Sequence, residues 1–573
     1  MLETQSCENK TILELKKHSD IGGMPSKKIP AIVRLPKTLK ETIIHMLYEE
    51  MRYSDSTLVF PEEMAEWSQI LLRLESSYKA VCPILDFEKV VQDKNRELTS
   101  QLSIISTSWH TTPLLGNDSV DGKLVELLKL GWPNVRRLEI LYRKNFDFEK
   151  ILSLVNWCLP KTMTIKVKIA SEEAAEFIKQ VYLNSPRVRH LKLVPMQNIR
   201  PTKRTTVYSN ADSVNQKLIS VLEGCPNWLM SLDLICSFSC PELLATIQRT
   251  QSHMQLLSLC ANVDTFGIMD PSIPLNITSL DIFLLCVTSI SDKLAFDTRC
   301  FPILSELHIR ETRSISDTPV VPPPRLFENI FMYEWKSIRL LTMPRISDAI
   351  AIKISKNCPG LQTLNIVTDP FLKHSILRSS DVDSSESEGN YTDSDNDFSQ
   401  FTNRGLEAIT KRLINMKEIV IGGKYSDIEH ELSLPYSQQS LEHNNLNGQI
   451  SVVNRFSKWN CANLKTLEIY KWNIDLKSVG YLLHQLPLLR EFYLELRQDC
   501  SPSDLSKWPE RHSLTFITID IYGYEDFTIN IINDMLKRLP DLKRMDIYNT
   551  PHNTAIREKL VRAYSNINIK FMI

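Results

Sequence analysis

A six-residue pattern, apolar-x-x-apolar-x-apolar, recurs along most of this 573-residue chain and constrains its fold more than any other feature. In one copy, Leu361, Leu364 and Ile366 follow a segment with helical spacing and a Cys-Pro pair. A single copy is typical of an ordinary buried strand. Recurrence at a regular period is typical of a repeat array, in which each unit buries its apolar side against its neighbours. The sequence therefore predicts a solenoid, a fold that usually binds other molecules.

The chain contains thirteen copies of this pattern. They begin at Val135, Val188, Leu229, Met254, Ile277, Leu304, Ile338, Leu361, Met416, Leu464, Leu489, Leu514 and Leu542. The usual step between copies is about 23 to 28 residues, within the range of leucine-rich repeats. We interpret the longer steps, roughly 34 to 55 residues, as repeats with insertions.

The segments between the predicted strands carry apolar residues at helical spacing. One predicted helix contains Leu476, Val479, Leu482, Leu483 and Leu486, and another contains Ile531, Ile532, Met535, Leu536 and Leu539. Pro487 and Pro540 end these helices because proline lacks an N–H group. We therefore expect an α/β solenoid, with a parallel sheet on its concave face and helices outside.

Individual repeats share further residues. Ser347 and Asp348 begin one repeat, whose helix is followed by Cys358-Pro359-Gly360-Leu361. Thr402-Asn403 begins a later repeat in the same way, and Gly224-Cys225-Pro226-Asn227 contains the same Cys-Pro pair. This arrangement resembles the cysteine-containing leucine-rich repeats of F-box proteins. The resemblance covers roughly residues 130 to 573, and it implies the fold more specifically than the partner.

Upstream of the repeats, apolar residues recur every four positions, beginning with a Leu-Pro pair. These residues are Leu35, Pro36, Leu39, Ile43 and Leu47. They resemble the opening of an F-box, the short helical module that docks on the adaptor subunit of cullin-based ubiquitin ligases. The resemblance implies binding to the ligase adaptor and its cullin through these five residues. The usual acidic residue after Leu-Pro is absent, and the alternative is a plain helical cap for the solenoid.

Composition argues against several classes of function. With 67 basic and 68 acidic residues, the chain lacks an overall field that would attract nucleic acid or an anionic membrane. We find no catalytic motif and no zinc-ligand spacing around Cys236 and Cys240, so we predict no catalytic residue, no metal and no cofactor. Residues 1–28 lack the apolar core of a secretory leader. We therefore expect reduced cysteines and a cytoplasmic or nuclear protein.

A predicted insertion at residues 378–400 interrupts the repeats. Its central part, residues 381–397, contains seven acidic residues and very few apolar ones, which predicts a disordered loop. Ser385, Thr392 and Ser394 each precede an acidic residue by three positions, a context that suits an acidophilic kinase. A phosphorylated loop would compete with an acidic substrate for the basic residues of the repeats. The alternative is a merely solvated insertion.

Residues between the apolar strand positions are expected on the concave face, because side chains alternate along a strand. Those that we predict to bind a substrate are Arg136, Arg137, Arg189, His190, Lys192 and Tyr493. A basic face at the amino-terminal end suits an acidic or phosphorylated peptide. The alternative is that these charges serve solubility alone.

The sequence thus predicts three parts: a disordered segment at residues 1–30, an F-box-like helical module at 31–90 and the repeat solenoid at 91–573. We predict a substrate-recognition adaptor of an SCF-type (cullin-RING) ubiquitin ligase. Its module would bind the ligase adaptor, and its repeats would bind a protein substrate. The main alternative is a repeat scaffold without a ligase role, and a leucine-rich GTPase regulator is a more distant one.

Overall fold

The computed structural model describes separate stretches of the chain. They are residues 79–83, 101–105, 128–129, 132–141, 148–195, 211–261, 266, 269–284, 297–311, 330–343, 346–366, 403–421, 459–474, 476–496, 502–521, 525–548 and 560–572. The chain forms two compact units. Unit 1 comprises Met1–Ile199, Thr206–Phe238 and Arg249–Leu256, and unit 2 comprises Arg200–Thr205, Ser239–Gln248 and Leu257–Ile573.

Unit 1 is an array of parallel strands joined by helices. Strands β1 to β6 are Lys79–Pro83, Gln101–Ile105, Arg137–Leu141, Thr164–Ile169, His190–Pro195 and Ser231–Ser239. Each pairs in parallel with the next. Helices α1 to α3 are Phe148–Cys158, Ala174–Asn184 and Ala211–Gly224. Helix α4, Pro241–Thr250, and strand β7, Leu256–Ala261, contribute residues to both units.

Unit 2 repeats the same arrangement. Strands β8 to β17 are Ser279–Leu284, Glu306–Glu311, Leu340–Met343, Thr363–Ile366, Glu418–Ile421, Thr466–Ile474, Glu491–Leu496, Phe516–Ile521, Arg544–Tyr548 and Asn568–Met572. Each pairs in parallel with the next. Helices α5 to α8 are Asp348–Asn357, Asn403–Arg412, Leu476–Gln485 and Glu525–Arg538. The predicted leucine-rich-repeat class is confirmed.

All thirteen predicted strands are confirmed, and each begins two residues after the first apolar position of its pattern. Leu361, Leu364 and Ile366 are all buried, for example, but β11 begins only at Thr363. The residues just before the strand pair with the neighbouring repeat, since Gln362 N and Thr363 N both donate to Arg339 O, at 2.8 and 2.9 Å. The first apolar residue therefore packs in the turn that leads into the strand.

Strand β4 was not predicted, because Thr162 occupies the first apolar position of its repeat. Thr162 is nevertheless buried, and its hydroxyl donates to Val135 O at 3.1 Å. This hydrogen bond satisfies the one polar group that would otherwise disfavour the site. The long step from Val135 to Val188 is therefore two ordinary repeats, and interpreting it as an insertion was wrong.

Strands β1, β2 and β17 were also not predicted. Strand β1 lies inside residues 31–90, where the sequence predicts a helical module. Lys79–Pro83 is therefore a strand and not a helix, and the predicted domain boundaries stay predictions. Parallel pairing with β2, from Lys79 with Gln101 to Pro83 with Ile105, holds this segment in the strand array despite its weak apolar pattern.

Helix α5 shows how the repeat is built. Its N-cap is Ser347, whose hydroxyl accepts from Ile350 N at 3.4 Å. Its C-cap is Cys358, whose N–H donates to Ile354 O at 2.9 Å. Asp348 accepts from Gly405 N at 2.8 Å and so joins α5 to the start of α6. The predicted Ser-Asp start and Cys-Pro end of this repeat are therefore both present.

Candidate functional site

Strand alternation places two rows of side chains on the open face of the unit 1 sheet. Paired residues of β3 to β6 form the first row, which is Arg137, Thr164, His190 and Ser231. The second row, two residues further along each strand, is Glu139, Lys166, Lys192 and Asp233. The intervening residues Leu138, Ile165, Leu191 and Leu232 are buried in the core.

The charges of the two rows are paired with one another. Arg137 Nη2 lies 2.8 Å from Glu139 Oε1, and Lys192 Nζ lies 3.7 Å from Asp233 Oδ2. Glu139 and Lys166 are each only 2% exposed. Charges at such low exposure need compensation, because their desolvation costs several kcal/mol. The face is therefore a matched set of opposite charges, and the basic face expected from Arg137 and Lys192 is corrected to a mixed one.

The predicted substrate-binding residues of unit 1 fall into two groups. Arg137, His190 and Lys192 lie on the open face. Arg136 and Arg189 precede their strands, and the carbonyl of Arg136 accepts from Met163 N at 2.8 Å and from Thr164 N at 3.0 Å. The Arg189 guanidinium donates to Trp228 O at 3.3 Å. The pKa of His190 is lowered by burial, so the imidazole is neutral near pH 7.

Glu139, Lys166 and Asp233 were not predicted as members of this face. Glu139 and Asp233 stand inside two of the thirteen patterns, directly after the second apolar residue. The position directly after the second apolar residue predicts a side chain on the open face whatever its charge, and this signal identifies both carboxylates. Lys166 was hidden because its strand, β4, was not predicted.

In unit 2, the corresponding face carries a polar cluster on β8 to β10. Arg310 Nη2 lies 3.1 Å from Asp281 Oδ2, and His308 Nδ1 lies 3.0 Å from Thr342 Oγ1. Glu306 Oε2 lies 4.0 Å from His308 Nε2. The pKa of His308 is lowered chiefly by burial and further by Arg310, against the opposing effect of Glu306. This cluster holds a neutral imidazole between an ion pair and a hydroxyl.

Tyr493, the remaining predicted substrate residue, lies on β14 between Glu468 and Thr518 of the adjacent strands. Only 7% of Tyr493 is exposed. The structure therefore places it on the expected face but with little free surface. Its role in substrate binding stays a prediction.

Within the described stretches, no group of three or more His, Cys, Asp or Glu side chains is arranged to hold a metal ion. Burial raises the pKa of Cys260 and Cys461 to about 12, so these thiols carry no nucleophilic charge near neutral pH.

No helix among the described residues is both long and apolar enough to cross a membrane.

Two groups of predicted residues lie outside the described part of the chain. One is the proposed adaptor-binding set, Leu35, Pro36, Leu39, Ile43 and Leu47. The other is the predicted phosphorylation set, Ser385, Thr392 and Ser394. Both assignments stay predictions.

Comparisons with known proteins give little further identification. No protein-family model matches the chain, and no curated protein matches it. Among solved structures, the chain is similar to one described as the crystal structure of the Rad7 and Elc1 complex in yeast. That match has a TM-score of 0.36 and 11% sequence identity, over 99% of this chain and 97% of the other. A likeness this weak supports no inference about function.

Proposed function

We propose that this protein is a substrate-recognition adaptor of an SCF-type ubiquitin ligase. In this proposal the F-box-like module docks on the ligase adaptor, which brings the cullin, and the repeats bind a protein substrate. Support for the module comes from the sequence resemblance at Leu35, Pro36, Leu39, Ile43 and Leu47. Support for the repeats comes from the sheet faces described above.

The observation that carries the substrate half is the charged face of unit 1. Opposite charges are paired on it, and the side chains of Arg137 and Lys192 remain 43% and 35% exposed although each is paired. Exposed N–H groups beside buried carboxylates provide fixed, charge-assisted donors for a peptide. Such a face favours a partner with its own ordered pattern of acidic groups, because a uniformly acidic one would meet Glu139 and Asp233.

The ligase half is tested by co-purification. Leu35→Ala with Pro36→Ala should abolish recovery of the adaptor and cullin from cells, because both residues would contact the adaptor directly. Leu13→Ala with Pro25→Ala is the matched control, since it removes the same two residue types from residues 1–30. If the wild-type chain never recovers the adaptor, the ligase proposal fails.

The substrate half is tested separately. Proteins that bind the unit 1 face should no longer co-purify with the Arg137→Glu, Lys192→Glu variant. Affinity purification followed by mass spectrometry measures this. The same proteins should persist with the Leu35 and Pro36 variant, which still has its repeats. An unchanged set of co-purifying proteins would reject this face as the substrate site.

The second candidate is a repeat scaffold without a ligase role. The same polar faces favour it, because they need no ligase to bind a partner. It becomes the leading interpretation if partners bind to the repeats while the adaptor and cullin are never recovered.

A further inference from the structure

A row of cations runs along the amino-terminal end of the parallel strands in unit 2. Lys417, Lys465, Arg490 and Lys543 directly precede β12, β13, β14 and β16, and Thr515 takes this position before β15. These five strands are consecutive neighbours in the sheet. At about 4.8 Å per strand, the four cations extend over about 19 Å. We call them the cation row.

The backbone fixes the row in place. Lys417 O accepts from Lys465 N at 2.7 Å and from Thr466 N at 3.1 Å, and Lys465 O accepts from Arg490 N at 2.7 Å. All four cations are exposed. Arg490 donates from one guanidinium nitrogen to Ser513 O at 2.8 Å. Within the stretches that the structure describes, the ammonium groups of the three lysines have neither a hydrogen bond nor an ion pair.

Two exposed aliphatic side chains lie in the turns that lead into the same strands. Ile414 is 56% exposed three residues before Lys417, and Leu488 is 45% exposed two residues before Arg490. The aromatic residues in the segments that lead into these strands, Trp459 and Trp508, are buried and offer no exposed ring. Single-stranded nucleic acids are usually bound by cations together with aromatic rings on which bases stack. A row of cations with aliphatic neighbours favours a peptide over a nucleic acid.

Carboxylates lie one residue further along two of these strands and place negative charge beside the cation row. Glu418 and Glu491 flank Thr466, whose hydroxyl donates to Glu491 Oε2 at 3.4 Å. Burial raises the pKa of Glu418, and the negative charge of Glu491 raises it further. These carboxylates would repel an acidic ligand from the sheet face. Such a ligand is therefore confined to the strand ends, where Glu510 and Asp541 are the acidic residues in the described segments that lead into the five strands.

We propose that the cation row, together with Ile414 and Leu488, binds an extended acidic segment of a partner protein that also carries aliphatic side chains. An extended segment advances about 3.4 Å per residue, so roughly six residues would span the row. The ammonium groups would donate charge-assisted hydrogen bonds to its carboxylates. This surface is separate from the proposed adaptor docking and requires no ligase role.

The test uses the full chain and a short fluorescein-labelled peptide of Glu and Leu residues, read by fluorescence anisotropy. Lys417→Gln with Lys465→Gln should weaken binding about tenfold, because two exposed ion pairs are lost. The control is Lys356→Gln with Lys507→Gln, two exposed lysines elsewhere in unit 2 that remove the same charge. The control should bind the peptide as the wild type does, and added salt should weaken binding to both. Equal binding by the row variant and the control would overturn the proposal.

Two further variants and a second labelled probe identify the kind of ligand that the cation row binds. Ile414→Ser with Leu488→Ser should weaken peptide binding and leave binding of labelled oligothymidylate unchanged. The oligonucleotide could instead bind more tightly than the peptide and lose affinity when Lys417 and Lys465 are substituted. In that case the row is a nucleic-acid site, and the peptide proposal is overturned. Deletion of residues 381–397 should leave peptide affinity unchanged. A tenfold gain on that deletion would identify the chain's own acidic segment as the occupant, against the proposed partner.

Discussion

The charged surfaces of the two units differ in how their charges are matched. In unit 1, Arg137 pairs with Glu139, and Lys192 pairs with Asp233. In unit 2, Lys417 and Lys465 are exposed and have no partner among the described residues. A motif rich in Lys and Arg therefore does not by itself present positive charge. The residues on neighbouring strands decide which cations a partner can reach.

The two arrangements also have different energetic consequences. A buried charge that keeps its partner contributes little net stability, but it becomes costly when the partner is removed. An exposed lysine contributes almost nothing to folding, since water already solvates it. Loss of a paired cation such as Arg137 should therefore affect stability as well as binding, whereas loss of the lysines of the cation row should affect binding alone.

The largest expected effect concerns the register that creates these faces. Leu364→Asp should destabilise unit 2 by more than about 4 kcal/mol, because the side chain is 0% exposed and the carboxylate would have no partner. Leu488→Asp makes the same chemical change at an exposed turn and should cost less than about 0.5 kcal/mol. Chemical denaturation followed by circular dichroism measures both. Similar midpoints for the two variants would contradict the register on which the comparison rests.

That register was largely predictable from the sequence, because burying one side of each repeat requires apolar residues at fixed spacing. Four strands were missed for a common reason. Their first pattern position holds a polar residue, which is Ser77, Thr99, Thr162 or Asn566. For Thr162, the structure shows that a hydrogen bond to Val135 O replaces the apolar contact. A pattern of residue types cannot reveal such a partner in the preceding repeat.

The candidate sites were less predictable than the fold. Alternation correctly placed Arg137, His190 and Lys192 on the open face of unit 1. It could not show that Glu139 and Asp233 compensate them, because pairing depends on distances across strands. The cation row was overlooked for the opposite reason. Its members are single residues in widely separated repeats, and only strand order makes them neighbours.

The next largest effect is expected from a substitution that breaks an ion pair of unit 1. Arg137→Gln should lower the free energy of unfolding by about 1–3 kcal/mol, because it removes an ionic partner of the buried Glu139 carboxylate. Adding Glu139→Gln should restore part of this loss, since the remaining amide carries no charge. A double-mutant cycle from denaturation curves measures the coupling. Simple additivity of the two substitutions would mean that the pair is not coupled.

A smaller effect is expected from the histidine of the unit 2 cluster. Because burial and Arg310 lower the pKa of His308, the unfolded chain binds more protons than the folded one below about pH 6.5. Stability should therefore fall as the pH drops below that value, until the folded imidazole also becomes protonated. His308→Asn should reduce the fall in melting temperature between neutral pH and pH 5.5. The pKa of His190 in unit 1 is also lowered, by burial alone, so part of the fall should remain. An equally steep fall in the variant would contradict the role of His308.

The smallest expected effect lies at the cation row. Lys417→Gln with Lys465→Gln should change the free energy of unfolding by less than about 0.5 kcal/mol, because neither ammonium group has a partner among the described residues. The two lysines lie one strand apart, so relief of their mutual repulsion should offset any cost. Denaturation at low and high salt measures this, since screening removes that repulsion and should bring the variant and wild-type midpoints together. A loss as large as that for Arg137→Gln would show that these lysines are paired within the fold. The difference between the two units would then be one of degree, and the row would have few free donors left for a partner.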